Sequence, residues 1–507
     1  MAQNLLPIRE AFFSKGMNDR VKPELLERGQ CADALNCFFE KEKIEKRTGY
    51  TRVGDDENID KPALGGGFIE LANGNKYIYK IRDDATSTNA HVRYWTGSGN
   101  WTALTSPTVL TASLKCELEP ANNALYIFNG TDTVHKVTGG TTDSTVAAIP
   151  VGKYAKWFHQ FFFVAGVSTN PSRLYFSNIN APDTWTAADY IDVNADDGDL
   201  ITGLAVLKDE LLVFKKNRVW SLTGFGTGTF TLANLNERLT GYGSLSHRSL
   251  VNTGNDVYYL SFLGGVPHIR SIQRTRYGTL VDGGVQSFDM ETTLDGVSKT
   301  ALNNVAAGFD GKRVWFAFTN SGGANNNLCL TQDIITGAWS RHTGINASLF
   351  FTFAIASQQH LYFGEAGNDA QIYRFDGATN DNGAAISFQF ISRKHTPLVE
   401  RKSKWKYLYL DVDANSTGYN ITISLSPDGY TYNSLGTTSN SATGSVWGTA
   451  VWGTDIWGSP NVVRDRKNIA ETVTNGVQIK FTDSTLNSSI AIRNYELFYK
   501  PKGLRDA

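Results

Sequence analysis

The sequence predicts an all-β protein in which a β-propeller of about seven blades is followed by a C-terminal antiparallel β-sandwich. Three observations lead to this fold class. A short apolar run recurs along the middle of the chain, a turn and a second strand-like run follow it, and after about residue 381 closely spaced strands alternate in polarity. Helical periodicity over a window of about 11 residues is absent from 61–380.

The recurring run sets the expected number of blades. One marker residue from each run gives a mean step of about 47 residues. The markers are Tyr77, Tyr126, Phe162, Leu211, Val257, Val314 and Leu361. Strands of a sandwich recur every 8–12 residues or so, whereas a step of about 45 that contains several short strands is typical of a propeller blade. Seven runs therefore predict seven blades.

The residues inside each step predict hairpins. Segments 128–137, 214–222 and 363–375 each read as an apolar run, a polar loop and an alternating run. This order is typical of two antiparallel strands joined by a turn. The repeating unit is therefore a small sheet, and we expect the propeller over 61–380.

Residues 1–60 do not fit the repeat and are predicted to form an extended N-terminal arm. Its one helix candidate is Pro23–Arg28. The run Glu40–Arg47 alternates in charge, which favours a solvated or strand-edge segment over a nucleic-acid patch.

The C-terminal region has a different pattern from the repeat. Asn382-Gly383 marks the junction, after which runs such as Tyr407–Val412 and Ile421–Leu425 alternate with period 2. Such alternation at short spacing is typical of an antiparallel sandwich. We expect this domain over 385–507.

Composition excludes several functional classes. The 507 residues carry 48 Lys and Arg against 49 Asp and Glu, a formal charge of −1. A protein that tracks nucleic-acid grooves needs a large excess of basic residues. The charge balance therefore excludes a protein that tracks nucleic-acid grooves, although it is compatible with a locally charged face.

Neither disulfides nor a membrane span are indicated. The four cysteines are scattered and form no CxxC motif, which favours reduced thiols. The most apolar stretch, Trp157–Val167, covers about 11 residues, whereas a membrane helix needs about 20. The first ten residues do not have the pattern of a signal peptide. We therefore expect a soluble chain.

No catalytic motif stands out, so the prediction is a protein that is not an enzyme and has no catalytic residues and no cofactor. A Gly-x-Ser-x-Gly elbow needs a following helix, and no helix is predicted there. The eight histidines form no HExxH motif. Paired glycosidase carboxylates meet in space rather than in sequence, and this alternative stays open.

Asp192–Asp199 begins like a calcium loop, with oxygen-bearing side chains at positions 1, 3 and 5. A full loop has Gly at position 6 and Glu at position 12, where this chain has Asp197 and Gly203. A polar loop between blades is therefore favoured, with calcium as the alternative and no metal site predicted.

The segment Ser426–Tyr432 resembles the Ser-x-Asp-Gly turn of discoidin-like sandwiches. There Asp-Gly makes a hairpin and an aromatic side chain packs behind it. Some such sandwiches bind sugars. The favoured interpretation is a plain β-turn, and a sugar site is the alternative.

Three apolar-Trp-Gly units follow one another at Trp447, Trp452 and Trp457. A period of five fits neither a helix nor a strand, so the segment is predicted to be a run of bends. The rings either form a contact loop in an interface or provide a platform for a sugar ligand. Packing is favoured, because aromatic side chains are enriched in interface cores and few polar partners stand beside these rings.

The N-terminal pattern resembles the opening of tail proteins of tailed bacteriophages, and the nearest members are the nozzle or tail hub proteins of short-tailed phages. The residues that carry the resemblance there lie in Phe13–Asn18, Leu26–Gly29, Ala34–Cys37 and Lys46–Tyr50. Later segments that resemble the same family are Arg173–Ser177, Pro182–Trp185, Asp197–Ile201, Leu211–Gly224 and the Trp-Gly repeat.

This resemblance implies a structural virion protein. Its copies would form a ring, usually of six, that conducts double-stranded DNA in transit. The implied partners are the portal and adaptor rings, tail spikes or fibres, and a distal plug or needle. The implied location is the virion tail, assembled in the host cytoplasm. The alternative is a carbohydrate- or receptor-binding, lectin-like tail module.

Overall fold

A computed structural model describes residues 5–502 except 87, 226–229, 276–278, 356–357, 368–369, 399–400 and 442–460. The chain divides into two compact units. The sandwich unit comprises Met1–Tyr50, Leu330–Gly344 and Asp376–Ala507, and the propeller unit comprises Thr51–Cys329 and Ile345–Phe375.

The described chain is almost entirely β-structure. Its strands and its one short α-helix are, in chain order, β1 (Leu6–Glu10), β2 (Gly16–Met17), β3 (Gln30–Leu35), β4 (Cys37–Glu40), β5 (Lys43–Lys46), β6 (Thr51–Arg52), β7 (Ala63–Glu70), β8 (Lys76–Asp83), β9 (Asn89–Trp95), β10 (Thr102–Ala103), β11 (Leu110–Thr111), β12 (Glu117–Ala121), β13 (Ala124–Phe128), β14 (Val134–Thr138), β15 (Thr142–Val146), β16 (Tyr154–Phe158), β17 (Phe161–Ala165), β18 (Arg173–Phe176), β19 (Tyr190–Asp192), β20 (Ile201–Leu207), β21 (Glu210–Lys215), β22 (Arg218–Leu222), β23 (Leu235–Thr240), β24 (Val251–Asn252), β25 (Asp256–Leu263), β26 (Val266–Arg274), β27 (Leu280–Val285), α1 (Glu291–Asp295), β28 (Ala306–Phe309), β29 (Arg313–Phe318), β30 (Leu328–Asp333), β31 (Trp339–His342), β32 (Ala347–Phe353), β33 (His360–Glu365), β34 (Ile372–Arg374), β35 (Phe388–Ser392), β36 (Ser403–Asp413), β37 (Asn420–Ser426), β38 (Asn433–Ser439), β39 (Val462–Thr474), β40 (Gln478–Asp483) and β41 (Ala491–Pro501). Among the described residues, no helix has both the length and the apolar character that crossing a membrane requires.

The propeller unit is built from small antiparallel sheets, which confirms the predicted fold class. Five sheets follow one another along the chain: β7–β10 with β11 at its edge, β12–β15, β16–β19, β20–β23 and β24–β27. The sixth consists of β32, β33, β34 and β6. Along the first five sheets, the first strand of each contacts the first strand of the next. β28 contacts both β24 and β32, and β32 contacts β7, so these strands close a ring.

The number of complete blades is six, so the prediction of seven was wrong. The step marked by Val314 supplies only the hairpin β28–β29 to the propeller unit, between β24 and β32 in the ring. From Leu330 to Gly344 the chain belongs to the sandwich unit. A repeat count based on second strands cannot detect that the later strands of a step leave the unit.

Each blade buries both faces of its second strand, which explains the recurring apolar run. In β13, Leu125 and Ile127 pack in the core that contains Tyr79. Tyr126 and Phe128 point the other way, into the core that contains Phe162 and Val164. Because both faces are covered by neighbouring blades, every position of this strand is apolar. Burial of each such side chain contributes about 1.5–3 kcal/mol.

The last blade closes the ring by combining both ends of the unit's chain. Its outermost strand is β6, which precedes all other blades in sequence. β6 pairs antiparallel with β34, and Tyr373 lies opposite Arg52. Separating the ring at this blade therefore requires breaking a strand pairing between residues more than 300 positions apart, in addition to separating its packed faces.

The sandwich unit contains two packed sheets. One has the order β39-β36-β41-β5-β4, with β1 also on β41, and within this unit the other runs β31-β2-β3-β35-β40-β37-β38. The ring of Tyr495 from the first sheet packs against Phe481 from the second. Phe13 contacts both Tyr495 and Phe390, so the N-terminal segment completes this aromatic core.

Residues 1–50 are therefore not a separate arm, since their strands belong to both sheets of the sandwich unit. The helix predicted over Pro23–Arg28 is also absent, and turns occupy these residues. The carbonyl oxygen of Pro23 accepts the N–H of Lys394 at 2.9 Å, while the N–H of Glu27 donates to Gln30 Oε1. These bonds use backbone groups that a helix would have paired with each other.

Deletion of residues 1–45 is expected to unfold the sandwich unit and leave the propeller unit folded. The deletion removes β1–β4 and most of β5, and thereby exposes the apolar side chains that these strands cover. Limited proteolysis with mass spectrometry should find early cleavage within 385–500 and protection of 63–318. Deletion of residues 1–5, which ends before β1, is the control. Equal protection of both regions in the longer deletion would contradict the structural role of these strands.

Candidate functional site

The N-terminal motif residues that carry the family resemblance meet at a buried joint in the sandwich unit. At its centre is Arg47, whose side chain is fully buried. NH1 donates to Asp381 Oδ1 at 2.7 Å and NH2 donates to Oδ2 at 2.5 Å. Nε donates to Asn36 Oδ1 at 2.9 Å, and NH2 also donates to the Thr343 carbonyl at 2.9 Å. We call Asn36, Arg47, Thr343 and Asp381 the Arg47 joint.

Asn36 contributes to the joint through both its backbone conformation and its side chain. Asn36 has a left-handed φ of 54°, a conformation that asparagine tolerates better than most residues. Its Nδ2 donates to the Ser387 carbonyl at 2.6 Å, and its N–H donates to the Arg341 carbonyl at 2.8 Å. One asparagine therefore connects all three chain segments of the unit.

The motif glycine next to the joint is required by close backbone approach. A Cβ on Gly49 would lie 1.8 Å from the Asn380 carbonyl oxygen. The N–H of Gly49 donates to the Ala378 carbonyl at 2.6 Å, and the Tyr50 hydroxyl donates to the Gly344 carbonyl at 2.6 Å. These residues have structural roles, and only glycine fits at position 49.

A second buried ion pair lies one residue away. Lys46 Nζ is 2.8 Å from Asp483 Oδ2, and both side chains are almost fully buried. Ser488 donates its hydroxyl to the same carboxylate. The segment Glu40–Arg47 was predicted to be solvated or at a strand edge, and β4 is indeed the edge strand of its sheet, with β5 beside it. The solvated alternative is wrong for Lys46 and Arg47, which are buried because carboxylates there compensate their charges.

The centre of the propeller ring holds the second candidate site, around Arg248. Its Nε donates to Glu117 Oε1 at 2.7 Å. NH1 donates to the Ser348 carbonyl at 3.1 Å, and NH2 donates to the carbonyls of Leu64 and Cys116 at 2.6 and 2.9 Å. One guanidinium thus joins its own blade to groups from three others.

The charges around Arg248 are compensated at short range. Burial alone would raise the pKa of Glu117, but the positive charge of Arg248, its hydrogen bond and the other basic neighbours together lower the pKa. Burial would lower the pKa of Lys156, but the Glu119 carboxylate, 2.6 Å from its ammonium group, outweighs this effect and raises it. Burial lowers the pKa of His247 to about 4. His247 is therefore neutral near pH 7, and its Nδ1 accepts the Leu204 N–H at 3.3 Å.

As far as the described residues define it, the ring centre contains cavities and no passage for a duplex. Three cavities of about 190, 380 and 260 Å³ are each lined in part by Arg248. Double-stranded DNA, whose major groove alone is about 12 Å wide, has no room in spaces of this size. The chemistry available here is the binding of a small polar group.

Three of the four acidic residues of Asp192–Asp199 have separate partners. Asp192 accepts from Arg173 Nε at 2.8 Å, and Asp197 accepts from Lys215 Nζ at 2.8 Å. Asp199 accepts the N–H of Asn217 at 2.8 Å. The segment is a loop in which these three carboxylates are engaged by protein donors. In the described part of the chain, no group of three or more His, Cys, Asp or Glu side chains could hold a metal ion.

The Ser426–Tyr432 turn is confirmed as the connection between the antiparallel strands β37 and β38. Asp428 Oδ1 accepts the N–H groups of Tyr430 and Thr431 at 2.8 Å each, and these bonds lower the pKa of Asp428 to about 2. Tyr430 is 91% exposed. Trp447, Trp452 and Trp457 lie outside the described residues, so their predicted contact role stays a prediction.

Sequence reasoning missed the groups that complete both sites. The motif contained Arg47 but gave no sign of Asp381, which is 334 positions away. Arg248 and Glu117 are not part of the recurring apolar run, so the repeat pattern gives no sign of them. Buried charges in different segments can be matched only when the fold is known.

Neither a scan against protein-family models nor a search of curated proteins finds a match. Solved propeller domains are similar in structure. The Pan2 WD40 domain of Neurospora crassa has a TM-score of 0.38 and 7% identity, over 62% of this chain and 90% of that chain. The WD40 β-propeller domain of Doa1 has a TM-score of 0.38 and 11% identity, over 65% and 97%. The WD40 domain of Toxoplasma gondii coronin has a TM-score of 0.36 and 11% identity, over 74% and 87%. These likenesses concern the fold alone.

Arg47→Met is expected to destabilise the sandwich unit by about 3–5 kcal/mol, because it leaves the Asp381 carboxylate buried without its partner. Urea denaturation of the wild type and the variant measures the difference. Arg464→Met is the control in the same unit. It removes a half-exposed arginine that pairs with Glu496, and its expected cost is about 1 kcal/mol or less. Equal effects of the two substitutions would contradict the central role of Arg47.

His247 makes the propeller unit sensitive to acid. The pKa of His247 is about 4 in the folded state and 6.5 without the fold, so its contribution to stability is present above pH 6.5 and is lost as the pH falls towards 4. The loss approaches about 3 kcal/mol. In His247→Asn, which keeps an acceptor for the Leu204 N–H, this part of the pH dependence should disappear. Parallel curves of unfolding free energy against pH for the two proteins would contradict the assignment.

Proposed function

We propose that this protein is a structural component of the tail of a short-tailed bacteriophage. Copies of it form a ring-shaped nozzle or hub through which double-stranded DNA passes during ejection. The observation that supports the proposal best is the Arg47 joint. Residues that match the tail-protein pattern at separate places in the first 50 positions contact one another or the same buried partners.

The joint supports the proposal because residues that matched a spaced sequence pattern only by chance would not be expected to contact one another in the fold. Asn36 and Arg47 are hydrogen-bonded to each other. The N–H of Gly49 bonds the segment just before Asp381, and the hydroxyl of Tyr50 bonds the residue just after Thr343. The residues of the pattern therefore satisfy the packing requirements of a single fold. This supports the interpretation that the resemblance extends to the fold of the N-terminal segment.

The closed centre of the propeller determines where DNA would run. Arg248 and the residues around it fill the middle of the ring of blades, so a duplex cannot pass through a single subunit. In our proposal the conduit is the hole enclosed by several subunits. The ring is then a homo-oligomer, with six copies as the implied number.

The charge balance suits a surface along which DNA slides. Each phosphate neutralised by a basic side chain adds affinity through counterion release, and a strongly basic lining would hold the genome. A formal charge of −1 on 507 residues is compatible with a neutral or mildly acidic lining. The protein would thus contact DNA in transit without binding it tightly.

The remaining parts of the proposal follow from the same role. The protein is not an enzyme, and the carboxylates best placed for chemistry in the ring centre, Glu117 and Glu119, are engaged by Arg248 and Lys156. Its partners are portal and adaptor rings on one side and spikes, fibres and a distal plug or needle on the other. Its location is the virion tail, after assembly in the host cytoplasm.

Mass photometry and negative-stain microscopy of the purified protein are the test. We expect closed rings of several copies, and a dissociation constant for linear duplex DNA weaker than about 1 μM at about 150 mM salt. Tight DNA binding would contradict the sliding surface. Monomers that bind glycans on an array would overturn the ring proposal in favour of the lectin-like alternative, for which Tyr430 is the exposed aromatic candidate.

A further inference from the structure

We propose that the mouth of the propeller's central channel is a binding site for a small oxyanion, a carboxylate or a phosphate group, with Lys115 as its main ligand. Lys115 lines both the cavity of about 190 Å³ and the cavity of about 260 Å³. It lies two residues before Glu117, the first residue of β12. We call the two cavities together the Lys115 mouth.

The ammonium group of Lys115 has only neutral partners. Its Nζ donates to the Asn303 carbonyl and to Asn304 Oδ1, at 2.8 Å each. An ammonium group has three N–H donors, so one remains for a ligand. Across the described ranges, no carboxylate lies within ion-pair distance of Lys115, and nearby Glu117 is bound to Arg248.

Positive charge exceeds negative charge throughout the Lys115 mouth. The larger cavity is lined by Lys115, Lys153 and Arg248, with Glu117 as its single carboxylate among described lining residues. The smaller cavity has Lys115 and Arg248 and no carboxylate in its described lining. His247 is neutral near pH 7 and does not change this balance. Because Arg248 is paired with Glu117, an anion that enters meets the charge of Lys115 and, in the larger cavity, that of Lys153, neither of which has an ion-pair partner among the described residues.

Hydrogen-bond donors accompany the charge. Asn325 lines the smaller cavity, and its exposed side chain makes no hydrogen bond to described residues, so its amide N–H groups are available to an oxygen ligand. Asn326 in the same wall donates to the carbonyls of Asn304 and Ala347 and is fully used. The wall therefore combines Asn326, whose amide donors are engaged, with Asn325, whose donors are free among the described residues.

The protonation of Lys115 agrees with this assignment. Partial desolvation, and next the charge of Arg248, lower its pKa to about 8, although the residue as a whole is exposed to solvent. A bound oxyanion would stabilise the ammonium form and raise the pKa again. Cavity size limits the ligand, because at about 30 Å³ of liquid volume per water molecule the two cavities hold about six and about nine water-sized groups. The ligand is a small anion, or the acidic end of a peptide that reaches into the mouth.

The first experiment measures protection of Lys115 in the full-length protein. Acetylation by a neutral succinimidyl ester near pH 8 is followed by mass spectrometry, with sodium phosphate, sodium acetate or sodium chloride at equal ionic strength. We expect phosphate or acetate to slow labelling of Lys115 at least about threefold relative to chloride, and the more protective anion identifies the ligand class. Lys208, which is exposed and makes no hydrogen bond through its side chain to described residues, is the internal control and should label at one rate in all three salts. Equal labelling of Lys115 in all three salts would overturn the proposal.

The second experiment uses variants and does not depend on labelling. Lys115→Met and Lys208→Met are compared by isothermal titration with the protective anion. Binding by the wild type and by Lys208→Met, and at least tenfold weaker binding by Lys115→Met, supports the site. Equal binding by all three proteins would overturn it. Circular dichroism checks that Lys115→Met is folded, and if it is not, Lys115→Gln, which also removes the charge, takes its place and should weaken binding by the same factor.

Discussion

The sandwich unit depends on one buried ion pair, between Arg47 and Asp381. The two side chains come from segments 334 positions apart, and Asn36 and Thr343 supply the other acceptors of the guanidinium. A buried charge is costly unless it is paired and its remaining donors are bonded. The segments 1–50, 330–344 and 376–507 must therefore be in place together before Arg47 can be buried. Lys46 and Asp483 form a second buried ion pair beside Arg47, and their segments must also be in place together.

The propeller unit has a different organising principle. Its blades are held by apolar contact between faces, and the second strand of each blade is mostly apolar because neighbours cover it on both sides. The charged side chains that these strands do bury are paired, as Lys80 is with Glu57 and Lys215 with Asp197. At the centre, Arg248 bonds carbonyls and a carboxylate from three other blades, so the channel is filled rather than open.

The sequence was sufficient to predict what depends on local pattern. The apolar second strands recur because each blade presents the same burial to them, and the Asp428 turn follows from Asp-Gly chemistry. The number of blades was overestimated at Val314, because chain segments that change units keep the same local pattern. The helix at Pro23–Arg28 failed since the carbonyl of Pro23 bonds Lys394 instead of its own segment. Neither the partner of Arg47 nor the position of Lys115 at the channel mouth could be predicted, because each depends on residues brought together only by the fold.

Native-state hydrogen exchange of the full-length protein tests the central claim most directly. If the Arg47 joint holds three segments in one cooperative unit, amides of Gln30–Leu35, Trp339–His342 and Phe388–Ser392 should open with the same free energy. That free energy should fall equally in all three as urea is added. Faster exchange of Gln30–Leu35 alone, with the other two strands still protected, would show that the N-terminal segment is an independent attachment and would contradict the account.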